Sequence, residues 1–123
     1  MNALVHIKIF NDLLDKFFNY LEDTYPDHIS DLILAKSTID MIRMNNPRLV
    51  VEQFINTIGP YSKEIFACNE NYFIRFTPPG IDESNFTTAI KLKDIWQESD
   101  DKKKAMIFYY FQKLLKSSDK CKM

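Results

Sequence analysis

Glycine is scarce in this chain of 123 residues, which contains two glycines, Gly59 and Gly80. A loop that cradles phosphate needs several glycines close together, because its backbone N–H groups must approach the anion. No stretch of the sequence has that composition. The sequence therefore argues against a nucleotide-binding enzyme of the P-loop or dinucleotide type.

Cysteine and long apolar runs are also scarce. Cys68 and Cys121 are the two cysteines, and the longest wholly apolar run covers residues 105–111, whereas a transmembrane helix needs about 20 such residues. The first ten residues contain one lysine and lack the small-residue cleavage site of a signal peptide. We therefore expect an intracellular protein without a membrane span, whose thiols are reduced. A disulfide between the two cysteines is the minor alternative.

Histidine is limited to His6 and His28, which restricts the candidate metal and catalytic sites. His28 and Asp31 have the i, i+3 spacing that places two ligands on one helix face, but a structural zinc site needs four ligands. Neither histidine is placed by the sequence to activate Cys68, which is expected to pack as a small apolar side chain at a helix end. The sequence therefore predicts no catalytic residue, no metal site and no cofactor.

Apolar and aromatic residues, by contrast, are abundant. Hydrophobic residues make up 46% of the chain, and the aromatic residues comprise ten Phe, six Tyr and one Trp. A domain of this length buries roughly two-thirds of the surface that its unfolded chain exposes. We therefore expect one globular domain over residues 1–123 with a phenylalanine-rich core.

One predicted helix, over residues 47–58, has both of its ends marked in the sequence. Asn46 is a suitable N-cap, and Pro47 suits the first helical position because no backbone N–H is needed there. Apolar residues then recur at helical spacing until Gly59 and Pro60 end the helix. This segment establishes the helical character of the chain.

Segments of the same kind lie on both sides of it, and together they predict an all-α fold, an irregular bundle of five to six helices. The other helices are expected over about 3–23, 27–44, 61–68 and 85–98, with a sixth starting at Ser99 or Asp100 and fraying from Ser117. Asp27 is the expected N-cap of the second helix, and Trp96 is expected to anchor the core. The expected buried stripe of the second helix comprises Ile29, Leu32, Ile33, Ile39 and Ile42.

Two aromatic segments are candidate contact surfaces. The sixth helix is apolar nearly all round between residues 105 and 111, which is typical of a helix in the core or in an interface. Tyr72, Phe73 and Phe76 precede a loop with two prolines and a glycine at residues 77–80. Aromatic residues beside a loop are less clearly part of a core, and we predict that these three contact a protein partner.

Charge is unevenly distributed along the chain. From Lys102 onward there are seven lysines and one aspartate, whereas the rest has nine basic and sixteen acidic residues, for a net charge of −1 overall. Lys102, Lys103 and Lys104 are candidate phosphate contacts, and the neighbouring aromatic residues could stack on bases. The alternative is that the charged segments are simply solvated faces, which agrees with the slightly acidic balance of the whole chain.

Several stretches together resemble a known group of proteins. Residues 46–54 with Gly59-Pro60-Tyr61, and residues 92–96 with 110–114, have a spacing similar to that of small all-helical proteins of unassigned function encoded by nucleocytoplasmic large DNA viruses. The resemblance extends from the first helix to Leu115 and brings no catalytic residues with it. It implies a product made in infected cells that acts in the host cytoplasm, the viral factory or the particle.

The functional hypothesis from the sequence is a non-enzymatic helical protein–protein interaction module, a viral adaptor or virion component. The alternative is a nucleic-acid-associated factor that uses the lysine-rich C-terminal segment. The sequence leaves open whether the last helix is buried within its own chain.

Overall fold

The computed structural model describes residues 3–69 and 92–122, and in these residues the chain is all-α and forms an irregular helical bundle, as predicted. The helices are α1 (Ala3–Thr24), α2 (Ile29–Asn45), α3 (Pro47–Ile58), α4 (Ser62–Phe66), α5 (Leu92–Gln97) and α6 (Asp101–Cys121). Short 3-10 turns, Pro26–His28 and Gly59–Tyr61, precede α2 and α4. The predicted fifth helix is thus described from Leu92 onward, and its earlier residues lie outside the described ranges.

The core forms where α1, α3 and α6 meet, and it is rich in phenylalanine. The ring of Phe111 in α6 lies 5.5 Å from that of Phe17 in α1, and Phe10 in α1 lies 5.2 Å from Phe54 in α3, both in edge-to-face geometry. All four side chains are buried. Such aromatic pairs add to the free energy of burial. The sixth helix is therefore a core helix of its own chain, which decides the question that the sequence left open.

The start of α3 forms as its sequence predicts. The Asn46 side chain accepts a hydrogen bond from the backbone N–H of Arg48, at 3.1 Å, and Pro47 occupies the first helical position. The helix ends at Ile58, before Gly59 and Pro60. Because the cap satisfies one of the N–H groups left free at a helix start, it fixes where α3 begins.

The predicted start of α2 is wrong. Asp27 is not an N-cap: it lies in the 3-10 turn Pro26–His28, and α2 begins at Ile29 without a side-chain cap. The backbone N–H of His28 donates to the carbonyl of Tyr25 at 3.0 Å, which closes the turn. Proline fixes the backbone at the first position of such a turn, so residues 26–28 form the turn and α2 begins after it.

The predicted buried stripe of α2 is wrong in part. Leu32 is buried as predicted, and Ala35 is buried beside it, but Ile29 and Ile33 are exposed. Among the described residues, α2 lies mainly against α1 and α3, and its buried face is therefore narrow. A helix in that position leaves its remaining apolar residues in solvent.

The C-terminal segment does not fray from Ser117, contrary to the prediction. α6 continues to Cys121, and both Ser118 and Cys121 are buried. The hydroxyl of Ser118 donates to the carbonyl oxygen of Leu115 at 2.8 Å. The buried side chains hold these last turns on the core, so helix propensity alone does not decide where the helix ends.

Cys68 does not pack as a small apolar side chain; it is exposed and has a φ of 54°. Its N–H donates to the carbonyl of Ile65, and the N–H of Asn69 donates to that of Glu64, so α4 ends in a Schellman motif. Glycine is the usual residue at the left-handed position of this motif. Cys68 and Cys121 are free thiols, so the disulfide alternative is not what the structure contains.

Trp96 anchors the core, as predicted. It is almost fully buried in α5, and its ring lies 5.1 Å from the ring of Phe108 in α6. The contact is edge to face, with an angle of 84° between the rings. This contact attaches the short α5 to the much longer α6.

Candidate interaction surfaces

The exposed face of α2 carries the largest group of solvent-facing apolar side chains on any helix of the described residues. The most exposed are Leu34 and Met41, both 68% exposed, and Met44, at 85%. Ile29 and Ile33 extend the same face towards the helix start. Helical periodicity places these five residues on the arc opposite the buried Leu32 and Ala35. We call these five residues the α2 outer face.

The remaining positions on this arc are small and polar. Ser30 and Ser37 lie between the apolar residues and are exposed. Charged residues lie along one edge of the face, at Lys36 and Asp40, which are one helical turn apart. The α2 outer face is therefore mostly uncharged, with a lysine and an aspartate at the side where Ile29 and Ile33 lie.

A polar cluster fixes α2 on the bundle. Nη2 of Arg43 lies 2.6 Å from Oδ1 of Asp15 in α1 and also contacts the carboxylate of Asp40. Its Nη1 donates to Oδ1 of the buried Asn11, at 3.4 Å. Burial acts to lower the pKa of Arg43, but the hydrogen bonds to Asp15 and Asp40 outweigh it and leave that pKa above its ordinary value. The cluster holds α2 against α1 with its apolar outer face in solvent.

The exposed face of α6 has the opposite character, because it is basic. Lys102, Lys113, Lys116 and Lys120 are all exposed and recur at helical spacing. Tyr109 lies among them and is 47% exposed. Of the three lysines predicted to contact phosphate, Lys102 lies on this face. We call these four lysines and Tyr109 the α6 basic face.

Aromatic rings lie under two of these lysines. Nζ of Lys113 lies 5.0 Å from the ring centre of Tyr109, and Nζ of Lys116 lies 5.8 Å from that of Phe66 in α4. Phe66 is 44% exposed. These distances fall within the range of cation–π contacts, which hold each ammonium group above a ring that remains open to solvent.

The predicted phosphate-binding run, Lys102 to Lys104, does not form one surface. Lys103 lies over the ring of Tyr25, 5.8 Å from its centre, and Lys104 lies over that of Trp96, at 5.4 Å. Both side chains are partly buried, whereas Lys102 is exposed. Three consecutive residues in a helix point in different directions, so two of these lysines cover aromatic core residues instead.

A buried hydrogen bond joins α1 to the segment between α5 and α6. The hydroxyl of Tyr25 lies 2.5 Å from Oγ of Ser99, and Ser99 Oγ donates in turn to the carbonyl oxygen of Ile95, at 2.7 Å. Burial raises the pKa of Tyr25 to about 12, because it disfavours the charged phenolate. The hydrogen bond between Tyr25 and Ser99 is structural, because it is buried where the end of α1 meets α5 and the start of α6.

A contact between a histidine and a carboxylate also joins two elements of the fold. Nε2 of His28 pairs with the carboxylate of Glu98, which ties the turn before α2 to the end of α5. In the part of the chain that is described, no group of three or more His, Cys, Asp or Glu residues could hold a metal ion.

The predicted partner contacts Tyr72, Phe73 and Phe76 lie outside the described residues, as does the loop at residues 77–80. Among the helices of residues 3–69 and 92–122, none combines the length and apolarity needed to cross a bilayer.

The α2 outer face is the candidate surface that sequence reasoning missed. Its signal was present, because Leu34, Met41 and Met44 lie at helical spacing on the side opposite Leu32 and Ala35. Ile29 and Ile33 belong to the expected buried stripe of this helix, whereas Leu34, Met41 and Met44 have no expected role. An apolar helix that borders the bundle on one side only must expose one of its two apolar faces.

Comparison with known protein families, with curated proteins and with solved structures finds no match to this chain.

Proposed function

We propose that this chain is a non-enzymatic protein–protein interaction module whose contact surface is the α2 outer face. The observation that supports the proposal is the exposure of Leu34, Met41 and Met44 on a helix that a polar cluster fixes in place. Soluble proteins seldom expose large contiguous apolar surface, and such surface marks sites of association. An apolar helix face of this kind is suited to packing against an apolar face of a partner.

The energetics favour association through this face. Fully burying one large aliphatic side chain contributes about 1.5–3 kcal/mol. Leu34, Met41 and Met44 retain most of their surface in solvent, so their burial by a partner would contribute several kcal/mol in gross terms. Association also costs translational and rotational freedom, so the net free energy of binding is much smaller than that sum. The two methionines suit this role, because their flexible side chains adapt to a partner surface.

The cellular role that we propose is that of an adaptor or virion component of viral origin, acting inside the infected cell. The resemblance of residues 46–54 with 59–61, and of residues 92–96 with 110–114, to small helical proteins of large DNA viruses supports that setting. It is independent of the α2 outer face, and either part of the proposal can fail alone.

The test is affinity purification of the tagged protein from its native cell, with nuclease present throughout, read by mass spectrometry. We expect partners that bind the wild type and are lost with the double variant Leu34→Glu/Met41→Glu. The matched control is Asn19→Glu/Gln53→Glu, which adds the same charge at exposed positions of α1 and α3. Partners that bind both double variants equally would contradict the proposal. Circular dichroism confirms beforehand that both variants are folded.

The α6 basic face supports a second candidate function, binding of single-stranded nucleic acid. Proteins that bind single strands without sequence preference combine cationic groups along the backbone with aromatic rings on which bases stack. Lys113 and Lys116 supply the charges, and the half-exposed rings of Tyr109 and Phe66 lie directly beneath them. At 1.5 Å per residue, Tyr109 and Lys116 are separated by about 10 Å along the helix. A short strand could therefore contact both rings.

Fluorescence anisotropy with a labelled single-stranded oligonucleotide, repeated over a range of salt concentrations, tests this second candidate. Lys113→Glu/Lys116→Glu should weaken binding and reduce the slope of log affinity against log salt by about 1.4, because each single-strand phosphate contact contributes about 0.7. Lys8→Glu/Lys16→Glu in α1 is the charge-matched control and should change the slope little. Equal slopes for the two variants would exclude the α6 basic face as the binding site.

A further inference from the structure

We infer that the occupant of the α2 outer face is a second copy of this chain, paired antiparallel about a two-fold axis at Ser37. This inference rests on the proposed function, because it takes the α2 outer face as the contact surface and adds the identity of the partner. The spacing of residues about Ser37 and the charges along the edge of the face support this partner, and the area of the face limits how stable the pair is.

Positions on the exposed side of α2 lie at matching distances on both sides of Ser37. Ile33 and Met41 each lie four residues from Ser37, and Ser30 and Met44 each lie seven residues from it. Offsets of four and seven residues return to the same side of a helix. When two α2 helices cross antiparallel at Ser37, Ile33 of one copy therefore faces Met41 of the other, and Ser30 faces Met44. In a two-fold interface each of these contacts occurs twice, once in each direction.

The residue at the proposed crossing point permits close approach. Ser37 is small and exposed, whereas Ile33 and Met41 on either side of it are large and exposed. Packed helices lie 8–10 Å apart according to the size of the side chains at their contact. A small residue at the centre with larger apolar residues one turn away allows the two helices to interlock around the axis.

The charged edge of the face distinguishes the antiparallel from the parallel arrangement. In an antiparallel two-fold pair, each edge of one helix meets the same edge of its partner. The edge that carries Lys36 and Asp40 would then meet itself, which brings lysine of each copy to aspartate of the other. Both contacts that Arg43 makes with Asp40 involve Oδ1 of the carboxylate. Its Oδ2 is therefore outside those two bonds and could accept from the lysine of the other copy.

A parallel pair lacks this complementarity. In that arrangement the edge with Lys36 and Asp40 would meet the opposite edge, which carries Thr38 and Asn45. Opposite charges then have no counterpart across the interface. Charge complementarity therefore favours the antiparallel arrangement and sets its register.

The area of the face determines how stable the pair is. A helix of 17 residues is about 25 Å long, and a contact strip about 10 Å wide gives roughly 250 Å² for each copy. Stable complexes bury about 800 Å² for each partner. The pair is therefore reversible and depends on concentration, and the chain is monomeric when dilute.

Disulfide trapping tests both the partner and the register. In a Cys68→Ser background that retains the buried Cys121, Ser37→Cys should form a disulfide-linked dimer under mild oxidation. The matched control is Ser30→Cys, an exposed serine on the same face whose two copies would lie about 21 Å apart, too far for a disulfide. A mixture of Ser30→Cys with Met44→Cys should form the mixed dimer.

Sedimentation equilibrium of the unmodified chain, from micromolar to millimolar concentration, completes the test. We expect a reversible monomer–dimer equilibrium that Leu34→Glu/Met41→Glu abolishes. A chain that stays monomeric throughout, or equal cross-linking of Ser37→Cys and Ser30→Cys, would overturn the inference. The affinity purification with the same Glu variant separates this failure from that of the proposed function, since a lost heterologous partner would leave the proposed function standing.

Discussion

Raising the pH above 10 tests the buried junction at Tyr25. The hydroxyl of Tyr25 lies 2.5 Å from Oγ of Ser99, whose own proton is directed to the carbonyl of Ile95. The phenol therefore donates to Ser99 and must keep its proton to do so. Burial is the largest effect on this group and raises its pKa from 10.0 to about 12, to which nearby Tyr20 and Asp100 also contribute. The buried environment disfavours the phenolate.

The sign of the pH dependence follows from this shift. Because the folded-state pKa lies above the unfolded value of 10.0, the folded chain binds this proton more tightly than the unfolded chain does. The associated stabilisation is complete below pH 10 and is lost as the pH rises from 10 to about 12. A difference of about two pH units corresponds to about 2.7 kcal/mol, which is an upper bound for the contribution of Tyr25.

Urea unfolding between pH 9 and pH 12 measures this loss. We expect the free energy of unfolding of the wild type to fall over that range, and that of Tyr25→Phe to fall less. At pH 9, Tyr25→Phe should be less stable than the wild type by about 1 kcal/mol, because Ser99 loses its donor. Tyr109→Phe, at an exposed position, is the control and should follow the wild type. Parallel curves for the wild type and Tyr25→Phe between pH 10 and pH 12 would refute the reasoning.

Three further predictions concern stability, each read from urea unfolding. Phe111→Ala should lower the free energy of unfolding by about 3–5 kcal/mol and Tyr109→Ala by less than about 1 kcal/mol; equal losses would mean that α6 is not a core helix. Cys68→Gly should raise it by about 1 kcal/mol by relieving the left-handed backbone, whereas Cys68→Ala should not, and an equal effect of the two would contradict the strain. Arg43→Met should lower it by about 1.5–3 kcal/mol through the lost bond to Asp15, and an unchanged value would show that the cluster does not fix α2.

Much of the fold could be predicted from the sequence because local signals and packing agree. The cap at Asn46, the proline after it and the stop at Gly59 define α3 within a few residues of sequence. Trp96 and Phe111 follow helical spacing and are buried where that spacing places them. In these segments the hydrophobic period and the local backbone preference favour the same structure.

Other parts of the fold could not be predicted, because tertiary contacts decide them. Asp27 is as good a capping residue as Asn46, but it lies inside the 3-10 turn that begins at Pro26, so α2 begins two residues later. Ser118 and Cys121 lie in a lysine-rich tail whose composition suggests fraying, yet their burial against the core keeps the helix intact. A single sequence does not contain the position of the neighbouring helix, which is what these outcomes depend on.

The candidate surfaces could likewise be predicted only in part, because a single sequence does not show which side chains the neighbouring helices cover. The sequence identified lysine and aromatic residues near Lys102 but could not show that Lys103 and Lys104 cover Tyr25 and Trp96. The basic surface instead forms along one side of α6. The α2 outer face escaped prediction because periodicity shows that a helix has two apolar sides but not which of them the bundle covers.

Oxidation of Met41 and Met44 by dilute peroxide, measured residue by residue with mass spectrometry, tests the central claim most directly. Both side chains are largely exposed on the α2 outer face, and Met106, which is partly buried in α6, is the internal reference. If this face is the contact surface, both residues should oxidise several-fold more slowly in the protein recovered with its partners than in the dilute isolated chain. The rate for Met106 should change little. Equal rates for Met41 and Met44 in the two samples would contradict the claim.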